Sequence, residues 1–230
     1  MLTPAEIAQF RAQGYIAIPR LIEGDDIELL REAYDCFLRG EIACGRDDRQ
    51  LGNRIRQILW PSRYHPVFAD NTALRKSREI ARQLLGIDEP AFRFDMLINK
   101  EPGNLSETPW HQDYSYSGEP FTPAGTPIPN RQLQFWVALD DVDESNGCMH
   151  FVGRAHTGLL SRHYVAGGEP TDPHRLLAMM AAPDPSLIVA CPLRAGDCTI
   201  HYEGTPHFTS SNRTLDRQRR AYIYDFNWMD

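Results

Sequence analysis

The stretch Trp110-His111-Gln112-Asp113-Tyr114 decides how the rest of the chain is interpreted. In an extended segment, side chains alternate between two faces, so residues two apart point the same way. His111 and Asp113 are therefore predicted to present an imidazole nitrogen and a carboxylate oxygen to one point. With a histidine from elsewhere, they would form the 2-His-1-carboxylate triad of non-haem iron sites. A lone His-x-Asp is common by chance and usually ends as a surface pair, so the pattern needs a third ligand.

The third ligand is expected near the C-terminus, in the run that ends at His207. Residues 198–202 are typical of a short strand and residues 204–206 of a turn, which places His207 just beyond a strand end. His201 is a second candidate, because it also lies where a strand end can reach a metal. The residues alone leave both histidines open.

Shortly after His207, a β-prone stretch begins with Arg219 and Arg220. Strand alternation sends these two side chains to opposite faces, so only one of them can enter a barrel. A guanidinium inside a barrel needs an anionic partner, since burying it unpaired is very costly. A dicarboxylate co-substrate supplies one, because its carboxylate and 2-oxo group chelate the iron while its far carboxylate meets the arginine. The charges agree, since Fe(II), Asp113 and the chelating carboxylate sum to zero and leave the far carboxylate for the arginine.

These motifs, in this order, resemble the phytanoyl-CoA dioxygenase family of Fe(II)/2-oxoglutarate oxygenases. The resemblance covers most of the chain, and several ordered motifs are far more specific than any one of them. They are residues 10–15, 96–100, 110–113, 136–141, 146–148, 196–197, His207 and 219–221.

The resemblance implies iron ligands at His111, Asp113 and His207, with Arg219 on the 5-carboxylate of 2-oxoglutarate. Thr209 matches a hydroxyl position two residues after the distal histidine. Met96, Trp136 and Arg56 match family positions that line the co-substrate pocket. Gln134 is expected to line it too, because it shares a strand face with Trp136. The implied cofactors are Fe(II), 2-oxoglutarate as co-substrate and O2, and ascorbate is expected to stimulate activity in vitro.

Length and composition indicate a single domain, residues 1–230, with a substantial core. The chain has 230 residues, of which 42% are hydrophobic and 10% aromatic, and this suits one globular unit.

A net charge of −7 argues against nucleic acid and anionic membranes as partners. No run approaches the roughly 18 apolar residues of a membrane span. Five scattered cysteines without a C-x-x-C motif favour a reduced, cytoplasmic location, and we expect a monomer or homodimer that acts on a small-molecule substrate.

The order of the predicted elements favours a mainly β protein with flanking helices around a double-stranded β-helix (jelly roll, cupin-like) core. Residues 1–90 are expected to form a mostly helical flank, with an exposed loop at 45–53. Residues 91–230 are expected to form the jelly roll, interrupted by two irregular lid insertions at about 117–130 and 154–186. The predicted helices are 4–13, 25–38 and 71–85, and the predicted strands are 92–99, 109–116, 131–139, 148–152, 187–191, 197–202 and 219–227.

The favoured function is therefore an oxygenase that hydroxylates or oxidatively cyclises a small molecule and releases succinate and CO2. The polar, aromatic lids carry no obvious basic cluster for the phosphates of CoA, which favours natural-product biosynthesis, including that of sugar-containing antibiotics. Three alternatives remain open. They are an acyl-CoA or other small-metabolite hydroxylase of the same family, a non-catalytic binding protein, and a Zn or Mn cupin-type enzyme.

Overall fold

The computed structural model describes residues 1–51, 55–118, 121–172 and 175–228. Strands carry most of the fold. They are β1 Tyr15–Ile18, β2 Asp48–Leu51, β3 Ile55–Leu59, β4 Ala91–Asn99, β5 Thr108–His111, β6 Gln132–Ala138, β7 Met149–Val152, β8 His163–Gly167, β9 Leu176–Met179, β10 Ile188–Cys191, β11 Cys198–Tyr202, β12 His207–Thr209 and β13 Arg220–Asn227.

The strands form two main antiparallel sheets. The larger has seven strands in the order β1-β11-β6-β13-β4-β3-β2, and the smaller has four in the order β10-β7-β12-β5. One apolar cluster joins them, with Trp136 and Ile223 from the larger sheet beside Met149 and Phe151 from the smaller. Two sheets packed around a shared interior are a jelly roll, so the predicted mainly β, cupin-like fold is confirmed.

Within the described residues, four helices flank the larger sheet: α1 Pro4–Gln13, α2 Asp25–Leu38, α3 Pro66–Ala69 and α4 Thr72–Leu85. The first begins at a Thr3–Glu6 capping box with proline at its first turn, and it ends at Gly14 with φ of 82°. The long helices bury one stripe each against the sheet, where Ser77 of α4 hydrogen-bonds Tyr224 at 2.8 Å. The three helices predicted from the sequence are confirmed to within one residue.

Period-two alternation divides the larger sheet into two faces. Phe135, Tyr222 and Tyr224 belong to the apolar core that includes the helices. Their strand neighbours Trp136 and Ile223, which are paired across β6 and β13, line an internal cavity instead. The sheet therefore holds the helices on one side and a site on the other.

Several local predictions were wrong. The expected loop at 45–53 contains a 3₁₀ turn at Gly45–Asp47 and the edge strand β2, and residues 52–54 lie outside the described ranges. The residues Asp48, Arg49 and Gln50 make β2 polar, so it lacks a hydrophobic signal. The predicted strand 109–116 stops at His111, and a 3₁₀ helix covers Asp113–Ser117. Residues 154–186 were expected to be irregular, but they contain the β8–β9 ribbon; their role as a lid stays a prediction. Nowhere in the described ranges is a helix long and apolar enough to cross a membrane.

Candidate metal and co-substrate site

Three metal-ligating side chains converge where the smaller sheet faces the cavity. His111 is the last residue of β5 and His207 the first of β12, and the two are direct partners across that antiparallel pair. Gln112 after β5 is still extended, with φ of −120° and ψ of 127°, so Asp113 points to the same side as His111. One donor atom from each of the three residues lies within 4.8 Å of the others.

The hydrogen bonds of the two imidazoles fix which nitrogen is free. Nδ1 of His111 lies 2.7 Å from the Pro109 carbonyl oxygen, and Nδ1 of His207 lies 2.9 Å from that of Thr205. A carbonyl oxygen only accepts, so each Nδ1 carries a proton, and Nε2 is the nitrogen of each ring that can ligate a metal. Both Nε2 atoms approach Oδ1 of Asp113, at 3.5 Å from His111 and 3.6 Å from His207.

The electrostatics of this cluster suit a divalent cation. Burial and the neighbouring His111 hold the pKa of His207 well below its usual range, so this imidazole is neutral at pH 7. Burial opposes ionisation of Asp113, but the surrounding imidazoles outweigh it and hold its pKa well below the ordinary value. Two imidazoles and one carboxylate form the donor set that non-haem Fe(II) accepts, so the residues fit that metal.

His201, the other candidate for the third ligand, occupies a different place. Its Nε2 lies 3.2 Å from Oδ2 of Asp113, the oxygen turned away from the other two imidazoles. Gln134 donates to that same oxygen from its Nε2 at 3.0 Å. The structure therefore brings His207 into the cluster of donors and leaves His201 as a partner of the carboxylate.

The cluster opens into a cavity of about 310 Å³. Most residues predicted for the site line this cavity: His111, Asp113, His207, Met96, Gln134, Trp136, Thr209 and Arg219.

Arg219 is buried in the cavity wall, with 1% of its surface exposed. Its Nε donates to the Gly147 carbonyl at 2.9 Å, and its guanidinium lies 4.6 Å from the centre of the Trp136 ring. Throughout the described ranges, no acidic side chain lies within ion-pair distance of it. Burial lowers the pKa of Arg219 to about 10, which leaves it charged at neutral pH. Such a cation is prepared for an anionic ligand.

Arg220 points to the opposite side of β13, as strand alternation requires. It pairs with Asp140 at 2.7 Å and with Asp35 of α2 at 2.8 Å. Both of its partners lie outside the cavity lining. Of these two neighbouring arginines, Arg219 is therefore the one available to a ligand in the cavity.

Thr209 lies beside a buried lysine that sequence reasoning did not select. Lys100 is fully buried, and its Nζ donates to Oγ1 of Thr209 at 2.9 Å and to the Ser210 carbonyl at 2.8 Å. Burial and the nearby Arg219 hold the pKa of Lys100 well below its usual range. Because the Thr209 hydroxyl oxygen accepts from Lys100, its own proton is free to be donated into the cavity.

The placement of Arg56 in the co-substrate pocket was wrong. Its guanidinium donates to the Phe37 and Leu38 carbonyls at the end of α2, at 2.8 Å each, and pairs with Asp48 at 2.7 Å. The reason is strand alternation, since the next residue of β3, Gln57, lines the cavity instead.

Gln112, between two of the metal-site residues, also has a role that the sequence did not reveal. Its Nε2 donates to the Gly204 carbonyl at 2.7 Å, and its Oε1 accepts from the Ser161 amide at 3.0 Å. Its backbone N–H donates to Nε2 of the buried His163 at 3.2 Å. These bonds fasten the segment that carries His111 and Asp113 to the turn before β12 and to the segment before β8.

A jelly roll in which two histidines and a carboxylate converge near a buried, unpaired arginine defines the class of non-haem Fe(II)/2-oxoglutarate oxygenases. Within that class, the chain belongs to the phytanoyl-CoA dioxygenase (PhyH) family, whose model matches residues 10–221. The family resemblance seen in the sequence is thus confirmed.

Curated relatives match most of the chain. Phytanoyl-CoA dioxygenase domain-containing protein 1 of Bos taurus is 32% identical over 163 residues, which are 69% of this chain and 52% of that protein. The ectoine dioxygenase of Streptomyces avermitilis is 26% identical over 194 residues, which are 80% of this chain and 61% of that protein. The chain therefore spans about half of the cattle protein's length and a larger share of the bacterial one.

Solved structures match over the whole chain. EvdO2 from Micromonospora carbonacea var. aurantiaca, complexed with 2-oxoglutarate, is similar with a TM-score of 0.79 and 28% identity, covering 100% of this chain and 94% of that one. The carbocyclase SnoK from nogalamycin biosynthesis has a TM-score of 0.67 and 24% identity, covering 98% and 84%. The likeness to SnoK shows the shared fold alone.

Proposed function

We propose that the protein is an Fe(II)- and 2-oxoglutarate-dependent oxygenase that hydroxylates or oxidatively cyclises a small molecule. One observation carries this proposal. The three donors of the metal cluster and the buried, unpaired Arg219 line the same cavity. A metal-dependent hydrolase or isomerase has no use for that arginine, whereas a dicarboxylate co-substrate needs it.

Different residues of the site would bind the metal and the co-substrate. Nε2 of His111, Oδ1 of Asp113 and Nε2 of His207 would hold the iron. The bound iron and 2-oxoglutarate supply the oxidising chemistry, consuming O2 and releasing succinate and CO2. Arg219 would bind the distal carboxylate of 2-oxoglutarate, with the Thr209 hydroxyl as a second donor.

Arg219 is held in place before any ligand arrives. Its Nε is committed to the Gly147 carbonyl, and its guanidinium face lies against Trp136. A side chain already fixed in its binding orientation loses little conformational entropy when the ligand binds. With Fe(II), the Asp113 carboxylate, doubly charged 2-oxoglutarate and the Arg219 guanidinium, the charges of the loaded site sum to zero.

For the substrate, we propose an intermediate of natural-product biosynthesis. The polar, aromatic lids without an obvious basic cluster for the phosphates of CoA support this assignment, and the similarity to EvdO2, solved with 2-oxoglutarate, supports the use of that co-substrate. Two other classes remain as alternatives because relatives carry those names: an ectoine-like osmolyte and an acyl-CoA.

The test has two stages. Anaerobic titration of 2-oxoglutarate into the Fe(II)-loaded protein measures co-substrate binding, and admission of O2 with ascorbate then measures succinate and CO2. We expect saturable binding and iron-dependent succinate release, both lost in His207→Ala. A protein that binds iron but not 2-oxoglutarate would contradict the proposal and favour the Zn or Mn cupin-type alternative.

A further inference from the structure

A second buried arginine, Arg175, lines the same cavity and is not used by the proposed chemistry. It lies just before β9, and 3% of its surface is exposed. Its Nη1 donates to the Asp172 carbonyl at 2.7 Å, and its guanidinium lies 5.6 Å from the centre of the Phe121 ring. Its Nε and Nη2 are buried without a hydrogen-bond partner.

The carboxylate of Asp172, whose backbone carbonyl accepts from Arg175, is already engaged. The side chain of Asp172 pairs with Arg49 on β2, so it offers Arg175 only a backbone oxygen. In the part of the chain that the structure describes, no acidic side chain lies within ion-pair distance of Arg175. Burying a guanidinium with unsatisfied donors is unfavourable, so the position calls for an anion that the described residues do not provide.

The acidic groups of the cavity do not supply that anion. Asp113 belongs to the metal cluster. Asp225 accepts from Nε2 of Gln132 at 2.9 Å, and among the described residues no ion pair joins it to Arg175. The two carboxylates of 2-oxoglutarate are taken by the metal and Arg219. The positive charge of Arg175 therefore remains for another ligand.

We propose that Arg175 binds an oxyanion of the substrate, a carboxylate or a phosphate, so that the substrate is an anionic small molecule. This proposal rests on the proposed function for its assignment of 2-oxoglutarate to Arg219. The free Nε and Nη2 form the edge of the guanidinium that makes two parallel hydrogen bonds to one oxyanion. The Phe121 ring beside the guanidinium limits its access to water. A single arginine suits one oxyanion and not the several phosphates of CoA.

The test uses small anions as probes, because they can bind Arg175 without matching the shape of the rest of the cavity. Acetate and inorganic phosphate are titrated separately into protein loaded with Mn(II) and saturating 2-oxoglutarate, and binding is followed by calorimetry and thermal unfolding. The variant is Arg175→Met, which removes the charge but keeps an unbranched side chain. The control is Arg162→Met, which removes an arginine of the same segment outside the cavity lining.

We expect saturable binding of at least one anion to the wild type and to Arg162→Met. In Arg175→Met, affinity should fall at least about tenfold, as the loss of one charge-assisted hydrogen bond implies. Binding of acetate alone identifies a carboxylate substrate, binding of phosphate alone identifies a phosphorylated one, and binding of both identifies a general oxyanion site. Without anion, Arg175→Met should unfold at a higher temperature than the wild type, because the unpaired buried charge is gone.

Three results would overturn the proposal. One is that neither anion binds saturably to the wild type, and another is that Arg175→Met binds them equally well. The third is a tenfold or greater loss of 2-oxoglutarate affinity in Arg175→Met, which would assign Arg175 to the co-substrate. If 2-oxoglutarate does not bind at all, the proposed function fails. In that case, anion binding is measured without 2-oxoglutarate in an Arg219→Met background, which removes the other unpaired arginine of the cavity. The effect of Arg175→Met on anion affinity is then compared in that background.

Discussion

Gln134 donates from its Nε2 to Oδ2 of Asp113 over 3.0 Å. With His201 on the same oxygen, the protein holds one half of the carboxylate and leaves Oδ1 facing His111 and His207. Asp113 therefore presents one oxygen to a metal. A one-point carboxylate and two imidazoles leave the remaining positions of an octahedral ion open for co-substrate and O2.

Removing the Gln134 amide should weaken metal binding without unfolding the protein. We expect Gln134→Met to lower Fe(II) or Mn(II) affinity about tenfold or more, the usual effect of losing a partner of a ligating group. Gln132→Met is the matched control, because Gln132 lines the cavity from the same strand but bonds Asp225 instead. Equilibrium dialysis against a metal chelator measures both variants. Equal affinity in the two would show that the amide does not orient Asp113.

Alanine variants of His207 and His201, the two candidates for the third ligand, are expected to differ in metal binding. His207→Ala removes a donor from the cluster, so we expect Fe(II) binding and turnover to be lost. His201→Ala removes only a partner of Asp113, so it should retain metal with reduced affinity. Metal content after gel filtration, with circular dichroism to confirm folding, separates them. Loss of iron in His201→Ala and its retention in His207→Ala would reverse the assignment.

The sequence predicted the parts of the site that follow strand alternation. Trp136 and Gln134 share a face of β6 and both line the cavity, as expected. The prediction for Arg56 was wrong because of the same alternation. An assignment that is off by one residue moves a side chain to the other face of its strand. The next residue, Gln57, lines the cavity where Arg56 was predicted to lie.

Other features had no local signal. β12 is three residues long, too short for a periodic pattern, although it carries His207. Arg175 lies in a segment that reads as an irregular insertion. Its importance comes from donors left unsatisfied, and only the three-dimensional arrangement shows which groups fail to reach it. Lys100 is a charged residue that the sequence suggests is exposed, yet it is fully buried because three oxygens at Thr209 and Ser210 accept from it.

Arg219 and Arg220 provide a matched pair for testing co-substrate binding. Arg219→Met should lower 2-oxoglutarate affinity tens- to thousands-fold, since leaving a buried carboxylate unpaired costs about 2–5 kcal/mol. Arg219→Lys should recover only part, because an ammonium lacks the planar fork. Arg220→Met should leave that affinity within about twofold but lower stability, because Asp140 loses its partner. Calorimetric titration of 2-oxoglutarate into the Mn(II)-loaded variants decides this, and comparable losses in both would contradict the assignment.

Asp95 on β4 should make stability depend on pH. It is fully buried and accepts from the backbone N–H and hydroxyl of Ser62 at 3.0 and 2.9 Å. Burial raises its pKa to about 6, against about 3.9 in an unfolded chain. Between these values the folded state binds the proton and the unfolded state does not, so stability falls as pH rises. A shift of this size corresponds to about 3 kcal/mol, present below about pH 4 and lost above about pH 6.

Asp95→Asn removes the ionisable group and keeps its size, so the variant should lack this contribution to the pH dependence. Relative to the wild type, its free energy of unfolding should therefore increase by about 2 kcal/mol between pH 4 and pH 7. Asp225 has a raised pKa as well, and Asp95 is one of its causes, so the comparison is repeated in an Asp225→Asn background, where Asp225 cannot titrate. Urea unfolding across this range measures the effect, with Asp88→Asn as the control because the Asp88 side chain is 98% exposed. A difference between Asp95→Asn and wild type that stays constant with pH would show that folding does not raise the pKa of Asp95.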